Sequence, residues 1–281
     1  MSARPRYRLL ALDIDGTLLR SDKTVSPRTL RALRAAQEGG VKLVLVTGRR
    51  LPAARRAAAA LGPVDLVLHN GALIVEDGQV LRCRPLPRAQ AVQAIHIGRA
   101  CGADPVVHAG HRGEGRLVLE GGVEPSNTLL AYYVERSHPD VVHVDDLVAA
   151  LSGEDPLQVM FGGASTLMDR LLPLLAAEIV PAVRIERTVY PESGVGILDV
   201  LAPGVNKAEA LAFLQRRWDV TAAETLAIGD NWNDREMLHE AGLGLIMGNA
   251  DPELRNLGLP VLPTNDEDGV AVAVESHILR M

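Results

Sequence analysis

The chain has 281 residues, 47% of them hydrophobic and 23% charged, with a formal net charge of -6. This length predicts one large domain or two unequal ones, and this composition excludes extended disorder. The acidic balance excludes a general attraction for nucleic acid or for an anionic membrane, so we expect neither as a partner.

Thiol and targeting signals are sparse in this chain. Its two cysteines, Cys83 and Cys101, have neither metal-type spacing nor a disulfide framework, which predicts reduced thiols. The apolar run before Asp13 is too short for a signal peptide, and no stretch approaches the roughly 20 apolar residues of a membrane span. We therefore expect a cytoplasmic protein, and its oligomeric state, monomer or homodimer, stays open.

Residues 7–82 alternate between apolar runs and helical patterns. Continuous apolar runs predict three buried strands and a following hairpin, at residues 7–12, 41–46, 65–68, 73–75 and 80–82. One helix is expected to start at Ser26-Pro27 and to end at Gly39-Gly40, and a second is expected over 51–61. Buried strands that alternate with helices are typical of a parallel sheet with helices on each side.

The pattern changes between residues 83 and 190. Helices are expected there at 89–100 and 166–177, and short strands at 106–109, 117–120, 157–161 and 183–188. The first pattern then returns, with strands expected at 197–201, 225–228 and 243–247 and helices at 207–217, 233–241 and 268–279. We predict an α/β fold: a doubly wound, mainly parallel, Rossmann-like core sheet built from 1–82 and 191–281, with an inserted α+β domain over 83–190.

The most informative motif is Asp13-Ile14-Asp15-Gly16-Thr17, directly after the first predicted strand. Side chains alternate along a strand, so both carboxylates enter one pocket only if the chain leaves the strand there, and Gly16 permits such an exit. Paired acids at the end of a buried strand are costly unless a metal or a reaction uses them. The motif therefore predicts a functional site.

A second acidic cluster, Asp230 and Asp234, follows a later strand. The two acids could serve only to cap the helix predicted over 233–241, where the helix dipole favours a carboxylate in the first turn. Together with Asp13 and Asp15 at another strand end, they favour a hard cation bound by oxygen ligands. Mg²⁺ is the predicted ion.

Two further features suit a phosphate group. Thr47-Gly48-Arg49 follows the second strand and offers a hydroxyl and an open backbone at a helix start, with a simple helix cap as the alternative. Lys207 opens a predicted helix, where a cation opposes the dipole, and the chain otherwise has only Lys23 and Lys42. A compact ammonium there could bridge a nucleophilic carboxylate and a phosphoryl group; the alternative is a solvated surface lysine.

The chain resembles the haloacid dehalogenase-like phosphohydrolases, and within them the Cof-type branch, whose α/β cap is inserted between the second and third motifs. The resemblance rests on Asp13-Ile14-Asp15-Gly16-Thr17, Thr47-Gly48-Arg49, Lys207 and Gly229-Asp230-x-x-Asn233-Asp234. Further Cof-type signatures are His69-Asn70-Gly71-Ala72, Met247-Gly248-Asn249-Ala250 and Asn265-Asp266-Glu267-Asp268-Gly269-Val270. Members often carry Ser-Lys-Gly where this chain has Asn206-Lys207-Ala208, and the lysine itself is retained.

The resemblance implies a role for each motif. Asp13 is the expected nucleophile that forms an aspartyl phosphate, Asp15 is the expected acid and then base, and Lys207 is the third catalytic residue. The expected Mg²⁺ ligands are Asp13, Asp15 through its backbone carbonyl, Asp230 and, in support, Asp234. The expected phosphate- and substrate-binding residues are Thr47, Gly48, Arg49, Asn70, Lys207 and Asn233.

The predicted activity is Mg²⁺-dependent hydrolysis of a small phosphorylated metabolite, a sugar or polyol phosphate, with the cap selecting the substrate. The alternative is a phosphomutase or phosphotransferase that delivers the same phosphoryl group to a sugar hydroxyl. A non-enzymatic phospho-accepting module also uses clustered acids, a threonine and a lysine around Mg²⁺. The acid/base at Asp15 and the inserted domain both argue against such a module.

Weaker candidates lie mostly in the insert. The residues expected at the surface or facing substrate are His108, His111, His143, Arg112 and Arg116. Trp232 is expected to pack near the fourth motif, and Tyr132-Tyr133 is expected in the core of the cap.

Overall fold

The computed structural model describes residues 6–110, 115–123 and 127–280. They form two compact units. The first unit comprises the chain up to Arg49, Ala53–Leu81 and the chain from Asn206 onward. The second unit comprises Arg50–Pro52 and Arg82–Val205.

Strands and helices alternate through most of the chain. The strands are β1 (Leu9–Leu12), β2 (Lys42–Val46), β3 (Asp65–Leu68), β4 (Leu73–Glu76), β5 (Gln79–Cys83), β6 (Pro105–Ala109), β7 (Arg116–Glu120), β8 (Val141–Val144), β9 (Gln158–Ala164), β10 (Arg184–Tyr190), β11 (Val195–Leu201), β12 (Thr225–Gly229) and β13 (Leu243–Ile246). The helices are α1 (Pro27–Glu38), α2 (Leu51–Ala58), α3 (Arg88–Ala100), α4 (Thr128–Ser137), α5 (Leu147–Ala150), α6 (Ser165–Ile179), α7 (Lys207–Arg217), α8 (Arg235–Glu240), α9 (Pro252–Arg255) and α10 (Gly269–Val274).

The first unit is built on a seven-stranded sheet in the order β13-β12-β1-β2-β3-β4-β5. The five strands from β13 to β3 are parallel, and β4 pairs antiparallel with β3. All four side chains of β1 are buried, because the strand lies inside the sheet and both faces are covered. The sheet is the mainly parallel core that the sequence predicts.

Helix α7 packs on this sheet through its apolar side. Leu211 and Leu214 lie in one buried cluster with Val44 of β2, Ala227 of β12 and Met237 of α8. These side chains recur at helical spacing on α7 and at alternate positions of the strands, so one face of each element is apolar. This packing fixes the start of α7 at the strand ends.

The first helix begins and ends where the sequence predicts. The side chain of Ser26 accepts a 3.0 Å hydrogen bond from the N–H of Thr29, and Pro27 occupies the first helical position. Gly39 follows the last helical residue. Local capping residues therefore determine both ends of α1.

The second unit contains a six-stranded sheet in the order β10-β11-β9-β6-β7-β8. Its pairs are antiparallel except for β7 with β8. Helices α3 and α6 pack on it, and Phe161 of β9 lies in a buried cluster with Ile95 of α3 and Leu171 of α6. A Cβ added to Gly98 would lie 2.1 Å from the ring of Phe161, so the glycine allows the close approach of α3 to the sheet.

The structure corrects the predicted return to the core at residue 191. The strand predicted at 197–201 is part of β11, which pairs antiparallel with β10 and β9 in the second sheet. Only residues 191–194 connect β10 to β11, including Gly194 at a φ of 64°, and such a short connection joins antiparallel neighbours. An apolar run shows that a strand is buried, but it does not show which sheet contains it.

Three helices are shorter than predicted. The helix expected over 51–61 becomes 3₁₀ after α2, and the one expected over 233–241 begins with a 3₁₀ turn before α8. The terminal helix starts at Gly269 and ends in a π-helical segment, Glu275–Leu279.

Within the described parts of the chain, no helix combines the length and apolar character needed to cross a membrane.

Candidate active site

The candidate site lies at the edge of the core sheet where parallel strands end. Since β1, β2, β12 and β13 run in the same direction, the residues that follow them reach one edge. The N–H of Asp13 donates to the carbonyl of Ile228 over 3.0 Å, which places Asp13 beside the end of β12. Asp230 follows that strand. The two acidic motifs, distant in the sequence, therefore meet.

Lys207 joins two buried carboxylates. Its Nζ donates to Oδ1 of Asp13 and to Oδ1 of Asp234, each over 2.6 Å. Asn206 caps α7 by accepting a hydrogen bond from the N–H of Glu209, so the lysine is the first residue of the helix. The helix dipole disfavours an ammonium there, and the two carboxylates supply the compensating negative charge. With 1% of its surface exposed, Lys207 is not a solvated lysine.

Three buried carboxylates lie together at this edge. Asp13, Asp230 and Asp234 each offer one oxygen, and these oxygens lie within 4.8 Å of one another. Lys207 supplies a single positive charge for the three acids, and buried carboxylates need compensating charge. Carboxylate oxygens are preferred ligands of hard divalent cations. The donor set fits a magnesium ion, and these three residues could hold it.

Burial changes the protonation of this group. It raises the pKa of Asp13 to about 7; the charge of Lys207 opposes the rise and that of Asp234 adds to it. Burial also raises the pKa of Asp230, and repulsion from Asp13 and Asp234 adds to this rise. Burial would lower the pKa of Lys207, but the two carboxylates beside it outweigh burial and raise it. The lysine therefore stays charged, but its single positive charge does not neutralise the three carboxylates beside it.

The loop after β1 closely approaches Asp230. Thr17, which is buried, donates from Oγ1 to Oδ1 of Asp230 over 2.9 Å. Gly16 has a φ of +76°, and a Cβ added there would lie 2.2 Å from Oδ2 of Asp230. Glycine is therefore required both by the backbone conformation and by the approach of the carboxylate. The sequence indicates the turn at Gly16, but not its contact with Asp230.

Asp234 holds its own loop as well as Lys207. Its Oδ2 accepts hydrogen bonds of 3.1 Å from the N–H groups of Asp230 and Asn231. It ends a 3₁₀ turn, Trp232–Asp234, and α8 starts after it, two residues later than predicted. Oδ2 of Asp234 therefore caps the loop while its Oδ1 accepts a hydrogen bond from Lys207, so capping is not the only role of this carboxylate.

Arg49 binds Asp15. Its Nε and Nη2 donate to the two carboxylate oxygens of Asp15, each over 2.6 Å. Burial would raise the pKa of Asp15, but the hydrogen bonds and the charge of Arg49 outweigh burial and lower it. The carboxylate of Asp15 is not a member of the three-carboxylate group that could hold a metal. Arg49, predicted to bind phosphate, is here the partner of the predicted acid/base.

The remaining predicted site residues connect three loops. Nδ2 of Asn233, after β12, donates to Oδ1 of Asn70, after β3, over 2.9 Å. The N–H of Asn70 donates in turn to the carbonyl of Thr47, after β2, over 3.0 Å. A Cβ added to Gly48 would lie 3.2 Å from Oδ1 of Asn70, so the glycine keeps this junction compact. Asn70, predicted to bind substrate, positions Thr47 and Asn233.

The candidates in the insert have different outcomes. The expectation that His108 lies at the surface or faces substrate is wrong, because it is 1% exposed on β6 and its ring stacks on Tyr133 with centroids 6.1 Å apart. His143 is exposed and its Nδ1 lies 2.6 Å from the carbonyl of Gly121. Arg116 is exposed at the start of β7. His111 and Arg112 lie outside the described residues.

The aromatic candidates are mainly packing residues. Trp232 is partly buried and packs against the cluster between the core sheet and its helices. Tyr133 packs against a buried cluster of the second unit. The expectation that both tyrosines lie in that core is wrong for Tyr132, which is 52% exposed and accepts a 3.0 Å hydrogen bond from Arg136.

Two residues at the site have contacts that sequence reasoning missed. Asn249 donates to the carbonyl of Gly16 over 2.8 Å, and Asn265 donates to the carbonyl of Leu19 over 2.8 Å. Both asparagines belong to the two motifs after β13 that the resemblance singled out. Those motifs marked the positions, but nothing local indicated their partners.

Comparison with known proteins agrees with this fold. A family model for the haloacid dehalogenase-like hydrolases matches residues 10–274. An HMP-PP phosphatase from Serratia proteamaculans is 34% identical over 258 residues, 91% of this chain and 89% of the relative. From Bacillus subtilis, the 5-amino-6-(5-phospho-D-ribitylamino)uracil phosphatase YcsE is 27% identical over 278 residues, 97% of this chain and 96% of the relative.

A solved structure is similar over nearly its whole length. It is a haloacid dehalogenase-like hydrolase from Bacteroides thetaiotaomicron, 26% identical, with a TM-score of 0.78 over 96% of this chain and 99% of the other. The chain belongs to the haloacid dehalogenase-like hydrolases. The predictions of this family, of the α/β fold class and of an enzyme are confirmed.

Proposed function

We propose that this enzyme is a Mg²⁺-dependent phosphatase that hydrolyses a small phosphorylated metabolite, a sugar or polyol phosphate, through an aspartyl phosphate. The observation that carries the proposal is the contact of Lys207 with Asp13 and Asp234, all buried at one sheet edge. A buried carboxylate with an ammonium on one oxygen keeps its other oxygen for attack on phosphorus. Hydrolysis of phosphate monoesters depends mainly on such positioning and on charge neutralisation.

Asp13 is the proposed nucleophile. One oxygen of its carboxylate attacks phosphorus, an acyl phosphate bond forms, and the P–O bond to the substrate alkoxide breaks. Water then attacks the same phosphorus, the acyl phosphate bond breaks, and inorganic phosphate leaves while Asp13 regains its carboxylate. Lys207 supports both steps because it stays charged next to the nucleophile and next to the phosphoryl oxygens.

Asp15 is the proposed general acid and base. In the first step its carboxyl group gives a proton to the departing alkoxide, and in the second it takes a proton from the attacking water. Arg49 occupies both oxygens of Asp15 in this structure and lowers its pKa. Arg49 therefore has to leave Asp15 before the acid step, and the phosphate group of the substrate is a suitable alternative partner for a guanidinium.

Mg²⁺ would be held by Asp13, Asp230 and the backbone carbonyl of Asp15, with Asp234 in support. When bound, the ion supplies positive charge that offsets the charge of the acids and of the phosphoryl oxygens. Thr17 orients Asp230 through its 2.9 Å hydrogen bond. These chain groups hold the ion and the transferring group in one place.

The remaining phosphate contacts are proposed for the loops after β2, β3 and β12. Thr47, the N–H of Gly48 and Asn233 would bind phosphoryl oxygens. Asn70 would act with them, because it accepts from Asn233 and donates to the carbonyl of Thr47. Backbone and side-chain donors held in this way need little reorganisation during the reaction.

The names of two relatives support a small phosphorylated metabolite, and one of the two names supports a polyol phosphate. One is named for HMP-PP, and the other for a compound with a phosphorylated ribityl chain, which is a polyol phosphate. We infer that the unit inserted into the core, the proposed cap, selects the metabolite.

The free cysteines Cys83 and Cys101 support the proposed cytoplasmic location, where thiols stay reduced.

A screen of phosphorylated metabolites with Mg²⁺ and with chelator tests this proposal. We expect inorganic phosphate release from sugar or polyol phosphates that requires the ion. Formation of a phosphate isomer without phosphate release would instead identify a phosphomutase, which uses the same phosphorylated aspartate. Turnover that is equal in chelator would contradict Mg²⁺ dependence.

A further inference from the structure

Two asparagines that the mechanism above does not use support the loop of the nucleophile. Nδ2 of Asn249 donates to the carbonyl of Gly16, and Nδ2 of Asn265 donates to the carbonyl of Leu19, each over 2.8 Å. The two are also joined to each other, because the N–H of Asn265 donates to Oδ1 of Asn249 over 2.9 Å. We call this pair, Asn249 and Asn265, the asparagine bridge.

The bridge adds to the hydrogen bonds that the loop after β1 makes within itself. The N–H of Leu18 donates to the carbonyl of Asp13 over 3.3 Å, and the N–H of Leu19 donates to the carbonyl of Ile14 over 2.9 Å. These bonds close the turn but use other carbonyls than the bridge does. The carbonyls of Gly16 and Leu19 accept the side-chain hydrogen bonds of the bridge, so the bridge adds an attachment of the turn to the rest of the core.

The strand order shows which segments the hydrogen bond between Asn249 and Gly16 connects. In the sheet, β13 and β1 lie on either side of β12. Asn249 follows β13 and Gly16 follows β1, so their hydrogen bond spans the end of β12, from which Asp230 extends. The N–H of Met247 also donates to the carbonyl of Gly229 over 3.0 Å, which attaches the segment before Asn249 to the same strand end.

Little space separates the bridged loop from the acid cluster. A single added methyl group at Gly16 would come within 2.2 Å of Oδ2 of Asp230, and the next residue, Thr17, donates to Oδ1 of the same carboxylate. A displacement of the Gly16 carbonyl therefore moves Thr17 or Asp230. Misplacement by about 1 Å at a reacting centre can lower a rate by roughly 100-fold.

We propose that Asn249 and Asn265 are positioning residues: through the carbonyls of Gly16 and Leu19 they hold the segment with Asp15 and Thr17 where Asp230 can take part in binding the ion. This inference rests on the proposed function. It assigns a role to the two motifs of the chain that the catalytic mechanism leaves unexplained.

The test measures Mg²⁺ binding apart from turnover. Purified protein is titrated with Mg²⁺ alone in a calorimeter, and the midpoint of the binding curve, the ion concentration at half saturation, is recorded. For Asn249→Ala we expect the midpoint to rise by about 10-fold, because loss of a group that orients metal ligands typically lowers metal affinity by about 10- to 100-fold. Asn256→Ala, which removes an exposed asparagine just beyond α9, is the matched control and should keep the midpoint of the unaltered protein.

A second variant separates the effect of the hydrogen bond to Leu19 from that of the hydrogen bond to Gly16. Asn265→Ala removes the bond to Leu19 but keeps the backbone N–H that donates to Asn249, so we expect a smaller rise in the midpoint. Because the residues act as one unit, the double variant should resemble Asn249→Ala rather than show the product of both effects. If Asn249→Ala does not fold, Asn265→Ala decides the question alone.

A midpoint equal to that of Asn256→Ala in both single variants would overturn the inference. So would a lower melting temperature without Mg²⁺ combined with an unchanged midpoint, since that result describes a purely structural role. Turnover of a phosphate monoester is measured in parallel, and kcat should fall in the variants at saturating Mg²⁺ with little change in KM. If the unaltered protein binds Mg²⁺ but releases no phosphate from any ester, the proposed function fails while the inference on ion binding is still decided.

Discussion

The Nζ of Lys207 donates a 2.6 Å hydrogen bond to Oδ1 of Asp13, although the two residues are 194 positions apart in the chain. Both are buried, so the pair exists only where the start of α7 meets the end of β1. Lys207 also binds Asp234 over the same distance. Removal of the lysine would leave two carboxylates buried without their cation.

Lys207→Met should therefore destabilise the metal-free protein. Truncation of one partner in a buried ion pair typically costs about 3–5 kcal/mol in the free energy of unfolding. Lys42→Met is the matched control, because Lys42 is exposed and lies 4.8 Å from the centre of the Trp218 ring, a contact worth about 0.5–1 kcal/mol. Urea unfolding in the presence of chelator measures the free energy of unfolding of both variants. An equal loss of stability in the two would contradict the buried ion pair.

Asp13→Asn should abolish turnover while the fold is kept. An amide oxygen does not attack phosphorus as a carboxylate does, so we expect kcat to fall by roughly 10⁴-fold or more. Asp219→Asn, at an exposed aspartate just beyond α7, should keep full activity. Release of inorganic phosphate gives the rates, and circular dichroism checks the fold. Full activity in Asp13→Asn would rule out the proposed nucleophile.

The stability of the metal-free protein should fall as the pH rises from about 5 to about 8. The folded pKa of Asp13 is raised to about 7, so at intermediate pH the native state keeps a proton that the unfolded chain, with a carboxyl pKa of about 4, has lost. This contribution is complete below the unfolded pKa and is lost as the pH rises through about 7.

Urea midpoints measured across that range in chelator test this pH dependence. Asp13→Asn cannot titrate at this position, so its stability should depend less on pH. Mg²⁺ should stabilise the unaltered protein most at the alkaline end, where the carboxylates are ionised. Parallel pH curves for the two proteins would show that Asp13 does not titrate in this window.

Arg49→Ala should raise the pKa of Asp15. Arg49 supplies the hydrogen bonds and charge that lower this pKa, and burial, which acts in the opposite direction, remains in the variant. The carboxyl titration of Asp15 followed by NMR measures the change, and Arg56→Ala, at an exposed position on α2, is the control. An unchanged titration of Asp15 in Arg49→Ala would mean that the ion pair does not persist in solution.

Gly16→Ala should impair the site by more than the cost of backbone strain at this position. A non-glycine residue at positive φ costs about 1–2 kcal/mol. Gly78→Ala isolates that cost, because Gly78 has a φ of +77° and its added Cβ would meet open space among the described residues. At Gly16 the Cβ also meets Asp230, so we expect weaker Mg²⁺ binding and lower kcat in this variant alone. Equal behaviour of the two variants would contradict the close contact.

Much of the site was predictable because its chemistry lies in short segments. Asp13 and Asp230 each follow an apolar run that predicts a strand, and Lys207 is the first residue of a predicted helix. The pairing of Arg49 with Asp15 was not predictable, since both residues suit a phosphate site equally well when read alone. The burial of His108 was also missed, because a histidine on a short strand gives no signal of which side is covered.

The sequence by itself determined the α/β class, the parallel core strands and the residue types of the candidate site, because periodicity and capping are local properties. Only the tertiary structure decided that β11 joins the second sheet, that Lys207 links Asp13 to Asp234, and that Asn249 reaches the carbonyl of Gly16. Each of these depends on which distant segments pack together. Burial and hydrogen bonding across the whole chain select that packing, and no local pattern encodes it.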